Sequence, residues 1–496
     1  MILKQLLENV DALLVNGDDT REITSVVYDS RKVTPGSLFV CMRGFESDGH
    51  QYALSAAEKG AAAIVVEDLP PFEPENATVI QVSDSRVALA HIAASWFGNP
   101  ADDMTIIGLT GTKGKTTTSF MLKKILEQSG RKVGLIGTTG AYIMDKLIPI
   151  KNTTPESFEL HSLFARMKKN GCDTVIMEAS SQGFKLHRTE GIVFSYGAFL
   201  NLSEDHISPG EHASFEEYKG CKKMIWNQTK NAILNVDSEY AEEFLEDAKE
   251  KKVESITTIG VEKKADLSAS EAGQIWEGVN FGVQFGAKGL YKGKVFLKMP
   301  GIFNVENALI AMAIAGKMGV SFEDVKEALK NVTVKGRVQV LPVPPERGTF
   351  LIDYAHNALS MESILKMLSE YQPKRLIVLF GGGGNKAAQR RYDMGLMAGK
   401  YADLTILTTD NPRFESPETI NQQIIEGLNV HEGEYKIIMD RAAAIRYLLD
   451  NCEERDLVAF IGKGHEEYQE IYGVKYDFSE EKIVLEHLKK SDEDEF

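Results

Sequence analysis

Residues 105–119, Thr-Ile-Ile-Gly-Leu-Thr-Gly-Thr-Lys-Gly-Lys-Thr-Thr-Thr-Ser, constrain this chain more than any other stretch. The pattern predicts an apolar strand, Ile106 to Leu109, and a glycine turn, Gly111 to Gly114. A helix then follows, with Phe120, Met121, Leu122, Ile125 and Leu126 at helical spacing. Strand, glycine loop, Lys-Thr and helix together make a phosphate cradle. Glycines let backbone N–H groups close around phosphate oxygens, and the helix N-terminus adds a favourable dipole. Lys115 can reach the outer phosphates, and Thr116 can hold Mg²⁺ through its hydroxyl. The strict motif asks for glycine where Leu109 stands, so G-T-K-G-K-T-T is a shortened variant. An ordinary glycine turn fits the same flanks, but Lys-Thr-Thr at the helix start favours a nucleotide.

A chain of 496 residues is too long for one core and implies two to four domains. Its 43% hydrophobic and 26% charged residues read as a soluble globular protein. A net charge of −16 argues against nucleic acid as a partner. Cys41, Cys172, Cys221 and Cys452 form no C-x-x-C pair, so they indicate buried thiols in a reducing cytoplasm. The N-terminus lacks a basic start followed by an apolar run, and no stretch approaches the roughly 18 apolar residues of a membrane span. Neither a signal peptide nor a membrane partner is expected.

Three α/β regions are expected, over 1–100, 101–337 and 338–496. In the first, strands are predicted at Gly36–Met42 and Ala61–Val66, and Asp29-Ser30-Arg31 reads as a turn. Phe97-Gly98-Asn99-Pro100 is boundary chemistry. In the second, Asn152-Thr153-Thr154-Pro155-Glu156 is expected to open a helix capped by Thr153 or Thr154. Glu178 ends an apolar strand begun at Thr174, and His206 follows another that ends near Leu202. Ligands of parallel α/β sheets sit at that end of the strands, so Glu178 is a candidate Mg²⁺ ligand. Lys222 and Lys223 fall in a helix predicted over Phe215–Trp226, where a solvated face is the plainer reading. Asn304 and Asn307, one helical turn apart, suit either a loop cap or a base edge.

In the third region, strands end at Asp353-Tyr354-Ala355-His356-Asn357, at the Gly381–Gly384 run, at Asp410-Asn411-Pro412-Arg413 and at Gly462-Lys463-Gly464-His465-Glu466. Polar and glycine-rich strand ends alternating with helices predict a doubly wound sheet with a site along one edge. No Lys-Thr opens a helix after the glycine run, so it reads as a flexible loop rather than a second phosphate loop.

In this order, G-T-K-G-K-T-T, N-T-T-P, E-A-S-S, N-L-S-E-D-H, F-N-V-E-N, K-G-R, D-Y-A-H-N, D-N-P-R and G-K-G-H-E resemble the Mur ligase family along the whole chain. Those enzymes form amide bonds at the expense of ATP in peptidoglycan precursor synthesis. The resemblance implies a small N-terminal α/β domain that binds the UDP substrate, a central P-loop ATPase domain with a parallel sheet, and a C-terminal Rossmann-like domain that binds the amino acid.

The resemblance also implies roles. Gly111, Thr112, Lys113, Gly114, Lys115, Thr116 and Thr117 would hold ATP phosphates, Asn304 the adenine, and Arg337 and Asp353 the ribose and phosphates. Thr116, Glu178, His206 and Lys222, the last as a carbamate, would bind Mg²⁺. Ser30, Asn152, Thr153, Thr154, Ser181 and Arg188 would line the UDP-muramoyl-dipeptide site. Lys115, Lys222, His206 and Glu178 would serve catalysis. ATP would phosphorylate the γ-carboxylate of D-glutamate in UDP-MurNAc-L-Ala-D-Glu, and an amine would attack the acyl phosphate. Closure of the C-terminal domain would exclude water. A cytoplasmic monomer is expected.

D-N-P-R points to meso-diaminopimelate as the amine. Arg413 can grip a distal carboxylate, which L-lysine lacks. Glu466 would take the distal ammonium, beside Asp410, Asn411, Pro412 and Gly462. Gln182, Ala358, Val338, Gln339, the loop 384–391 and residues 211–215 depart from the usual pattern. Several of these departures look like a branch that adds L-lysine, so another diamino acid stays open. Folylpolyglutamate-type glutamate addition, a P-loop kinase and a non-catalytic nucleotide-binding regulatory protein are the remaining alternatives.

Overall fold

In a computed structural model, residues 1–44, 47–71, 76–204, 207–208 and 210–494 are described, with side chains described as far as residue 490. The chain forms two compact units. One comprises 1–268, 289–291 and 309–325; the other comprises 269–288, 292–308 and 326–496.

The first unit begins with a five-stranded sheet ordered Ala12–Asn16, Thr78–Val82, Ala63–Val66, Ser37–Val40 and Ser25–Val27. Its first pair is antiparallel and the others are parallel. The inner strands Ser37–Val40 and Ala63–Val66 are buried along their length, as continuous apolar runs such as Ala-Ile-Val-Val require.

A second sheet in this unit runs Ser255–Gly260, Thr229–Asn235, Phe194–Phe199, Thr105–Thr110, Thr174–Glu178 and Val133–Gly137, all parallel. Gly140–Ile143 and Lys146–Ile148 extend it antiparallel. From Thr105–Thr110 the chain first crosses to Val133–Gly137, then fills the gap with Thr174–Glu178, then moves to the other side with Phe194–Phe199. Thr105–Thr110 therefore lies at a topological switch point, where a crevice opens at the strand ends.

The second unit carries a six-stranded sheet ordered Gln339–Val340, Thr349–Asp353, Asp456–Ile461, Arg375–Phe380, Leu404–Leu407 and Tyr435–Ile437. Only its first pair is antiparallel. The order again reverses near its middle, so the ends of Thr349–Asp353, Asp456–Ile461 and Arg375–Phe380 share one edge. Tyr468–Ile471 and Val474–Asp477 form a separate hairpin.

Two local expectations are corrected. The helix after N-T-T-P spans Ser157–Lys169 with Glu156 at its N-cap and no side-chain cap. Thr154 Oγ1 instead donates to the Glu178 carbonyl at 2.9 Å and lies 3.0 Å from Ser180 Oγ, so a partner distant in sequence takes its hydroxyl. The helix expected over Phe215–Trp226 stops at Lys223 and continues as a 3₁₀ turn, Met224–Gln228.

Candidate active site

The phosphate loop leaves the switch-point strand. Gly114, at φ +84°, precedes the helix Lys115–Gln128 in a left-handed conformation that glycine adopts without strain. Asn201, at the end of the neighbouring strand, clamps the loop. Its carbonyl accepts from Thr112 N–H at 3.0 Å, its Oδ1 accepts from Lys113 N–H at 2.9 Å, and its Nδ2 donates to the Lys113 carbonyl at 3.2 Å. Sequence reasoning missed Asn201, although its place at a strand end was a usable signal. Lys115 Nζ donates to the Gly111 and Thr112 carbonyls at 2.6 and 3.1 Å. The buried Lys222 Nζ donates to the same Gly111 carbonyl at 2.8 Å and lies 4.6 Å from the Tyr218 ring centroid. Lys222 therefore does not lie on the solvated face of the plainer reading. Thr116 and Thr117 are buried at the helix start.

Glu178 ends the adjacent strand, fully buried. Its carboxylate accepts from Thr138 N–H at 3.2 Å and from Thr138 Oγ1 at 3.0 Å, and no described residue pairs with it as a cation. An ionised carboxylate buried without a counter-charge is costly, so this place suits a divalent cation. Among the described residues no cluster of three His, Cys, Asp or Glu forms a complete metal cage. Mg²⁺ does not need one, because it usually takes one or two carboxylates, waters and substrate phosphates. His206 lies outside the described residues.

Of the residues expected at the UDP-substrate site, Thr153 Oγ1 lies 3.1 Å from Thr138 Oγ1, beside Glu178. Asn152 is partly exposed in the same bend. Ser181 opens the helix Ser181–Lys185, with His212 Nε2 2.8 Å from its hydroxyl. Arg188 is buried, donating to Glu156 Oε1 at 2.8 Å and to the Thr154 carbonyl at 3.1 Å. It therefore braces the Thr154 bend. Ser30 sits in the 3₁₀ turn Ser30–Lys32 of the N-terminal sheet, its carbonyl accepting from Lys59 Nζ at 2.8 Å.

In the second unit, Asn304 is buried and donates to the Pro300 carbonyl at 2.7 Å, while Asn307 donates to Asn304 Oδ1 at 3.0 Å. Of the two roles open to this pair, the loop cap is made. Asp353 accepts from Val338 N–H at 2.9 Å and from Ala355 N–H at 2.8 Å, and burial raises its carboxyl above the usual range. Arg337, in the K-G-R turn, places its guanidinium 5.3 Å from the Tyr354 ring centroid.

The four polar strand ends of this unit surround a cavity of about 210 Å³. Asp410, Asn411, Arg413, Gly462 and Glu466 line it, together with Tyr354, His356, Lys386, Arg390 and Arg391. Pro412 is buried behind them and packs close to Gly384. Asn411 donates from Nδ2 to Glu466 Oε2 at 2.9 Å and accepts at Oδ1 from Lys463 Nζ at 3.1 Å. Lys463, fully buried, also lies 3.7 Å from Asp410 and 3.6 Å from Glu466. Arg391 is held by Glu415, Gln423 and the Gly383 carbonyl, and Arg390 donates to the His356 carbonyl. Burial and the nearby Arg390, Arg337 and Lys386 push the His356 imidazole below its ordinary range.

Family profiles match in chain order. The profile described as Mur ligase family, catalytic domain, covers residues 22–97, the Mur ligase middle domain covers 109–315, and the Mur ligase glutamate ligase domain covers 336–464. The UDP-N-acetylmuramoyl-L-alanyl-D-glutamate–2,6-diaminopimelate ligase of Caldanaerobacter subterraneus subsp. tengcongensis is 42% identical over 96% of this chain and 97% of its own. The chain belongs to the Mur ligase family. A second Mur ligase relative, 2,6-diaminopimelate ligase 1 of Clostridium acetobutylicum, is 39% identical over 99% of this chain and 100% of its own. Among solved Mur ligase structures, one of a 2,6-diaminopimelate ligase superposes with a TM-score of 0.74 at 25% identity, covering 99% of each chain. The three-domain α/β architecture and the ATP-dependent ligase activity of the family are thus those of this chain.

Proposed function

We propose that this Mur ligase joins 2,6-diaminopimelate, as the meso isomer, to the D-glutamate of UDP-N-acetylmuramoyl-L-alanyl-D-glutamate, forming ADP and phosphate. The relatives' shared activity supports this reading. The structural observation that carries it is the cavity that Arg413, Asp410 and Glu466 line together. A ligand with a distal carboxylate and a distal ammonium matches those charges.

The chemistry follows from charge. The γ-carboxylate is a poor acyl donor, and phosphorylation by ATP makes it an acyl phosphate that the amine can attack. Lys115 and the loop amides stabilise charge on the transferring oxygens. Thr116, Glu178, His206 and a carbamylated Lys222 would hold Mg²⁺, which when bound neutralises phosphate charge. Carbamylation would replace the ammonium donor on the Gly111 carbonyl with an anion. Gly111–Thr117, Asn304, Arg337 and Asp353 serve ATP in this reading, and Ser30, Asn152, Thr153, Thr154, Ser181 and Arg188 serve the UDP substrate. Domain boundaries near residues 100 and 337, a monomeric state and a cytoplasmic location belong to the same proposal. Among the described residues no helix is long and apolar enough to cross a membrane.

L-lysine is the second reading. It is favoured by several of the sequence departures and by the ion pair that already occupies Arg413. Mass spectrometry of the product, formed from an equimolar mixture of the two amines, tests the choice. The diaminopimelate adduct is expected in excess; an excess of the lysine adduct overturns the assignment.

A further inference from the structure

Arg413 reaches the cavity from a constrained position. Its φ of +52° is in the left-handed region, which non-glycine residues adopt only when their surroundings enforce it. The enforcing element is the hairpin Tyr468–Ile471/Val474–Asp477. Arg413 N–H donates to the Glu470 carbonyl at 3.1 Å, and Tyr472 N–H donates to the Arg413 carbonyl at 2.7 Å, a parallel bridge between Arg413 and Ile471. Glu470 N–H in turn donates to Asn411 Oδ1 at 2.9 Å. The hairpin is therefore bonded to both cavity-lining residues of D-N-P-R that flank the proline.

The side chains repeat the pattern. Arg413 donates from Nε to Glu470 Oε2 at 3.1 Å and from Nη1 to the Gly384 carbonyl at 2.7 Å. The two side chains are 28% and 21% exposed, so the pair is neither fully screened nor sealed off. A guanidinium has five N–H groups in a fixed plane. Here the Nε edge is occupied, while Nη2 donates to no described residue. Nη2, with the second N–H of Nη1, is left as a fork for one ligand carboxylate.

We propose that Glu470 is a positioning residue that fixes the Arg413 fork for the distal carboxylate of a diamino dicarboxylate, and so favours it over a diamino monocarboxylate. The proposal rests on the reading of Arg413 as an amino-acid-binding residue. L-lysine brings no distal carboxylate to the fork, so its binding is indifferent to Glu470.

Steady-state kinetics of Glu470→Ala and Glu470→Gln with each amine test this. Glu470→Ala is expected to raise KM for 2,6-diaminopimelate about tenfold, the loss of roughly one well-oriented charge-assisted contact, with kcat and the KM for ATP changed less than about twofold. Glu470→Gln keeps an acceptor oxygen for the Arg413 Nε–H and is expected to stay within about threefold of the parent. For L-lysine, KM as a substrate, or Ki as a competitor where it is not turned over, is expected to move less than about twofold in either variant. Equal shifts for both amines would make Glu470 merely part of the hairpin's structure and overturn the proposal, as would an unchanged diaminopimelate KM in Glu470→Ala. A parent enzyme that joins L-lysine and not diaminopimelate would instead refute the substrate reading itself, and this proposal with it.

Discussion

Lys463 carries the most consequence among single residues. It is 0% exposed, and its ammonium stands between Asp410 and Glu466 while donating to Asn411. Methionine has similar length and no charge, so Lys463→Met leaves two carboxylates close together without their counter-ion. Removing one partner of a buried ionic group costs about 3–5 kcal/mol. Urea denaturation should show a loss of that order, and adding Asp410→Asn should recover part of it. The G-K-G-H-E motif was legible in the sequence, yet the role of its lysine was not. A lysine between two glycines looks solvated until Asn411, 52 positions away, is seen against it. Asn201 and Glu470 escaped notice for the same reason: their partners come from distant strand ends. Glu178 was a candidate from its strand-end position, and Arg413 from the D-N-P-R motif of the resembled family.

At the scale of elements, the K-G-R turn meets the G-K-G-H-E loop at Gly336. That glycine has φ +68°, and an added Cβ would lie 2.2 Å from the His465 backbone nitrogen. Gly336→Ala must therefore separate the turn from the loop. It should weaken ATP and amine dependence together, with both KM values rising at least about fivefold, roughly 1 kcal/mol each. A change confined to thermal stability would contradict this.

The helix Ser157–Lys169 makes a different prediction. His161 is buried on it with neither ring nitrogen bonded, and burial, with His91 nearby, lowers its pKa to about 4. A histidine depressed in the folded state binds its proton mainly after unfolding. Its contribution is complete above the unfolded value of 6.5 and is lost as pH falls from 6.5 towards about 4. His161→Phe should flatten the stability profile across that window, recovering about 3 kcal/mol at its acid end. A parallel profile would contradict the assignment. The start signal Asn152-Thr153-Thr154-Pro155-Glu156 marked this helix in the sequence. Its start was misplaced because Thr154, an apt cap by type, is bonded to the Glu178 strand instead.

For the whole molecule, alternating apolar strands and helices made three α/β sheets legible, and glycine or polar strand ends marked their functional edges. Strand order was not legible, because parallel pairing depends on contacts far apart in sequence. The order matters: it puts the glycine loop 111–114 at one reversal and the cavity lined by Arg413 at another. Under the proposed function, the enzyme couples nucleotide chemistry to two further substrates.

Phosphate release from ATP, measured with the UDP-linked dipeptide and the amine added singly and together, tests that coupling most directly. Release is predicted only when both are present, with 2,6-diaminopimelate as the preferred amine. Arg413→Ala should raise the diaminopimelate KM at least about tenfold, close to 1.4 kcal/mol. Steady release without any amine, or with L-lysine in preference to diaminopimelate, would contradict the account.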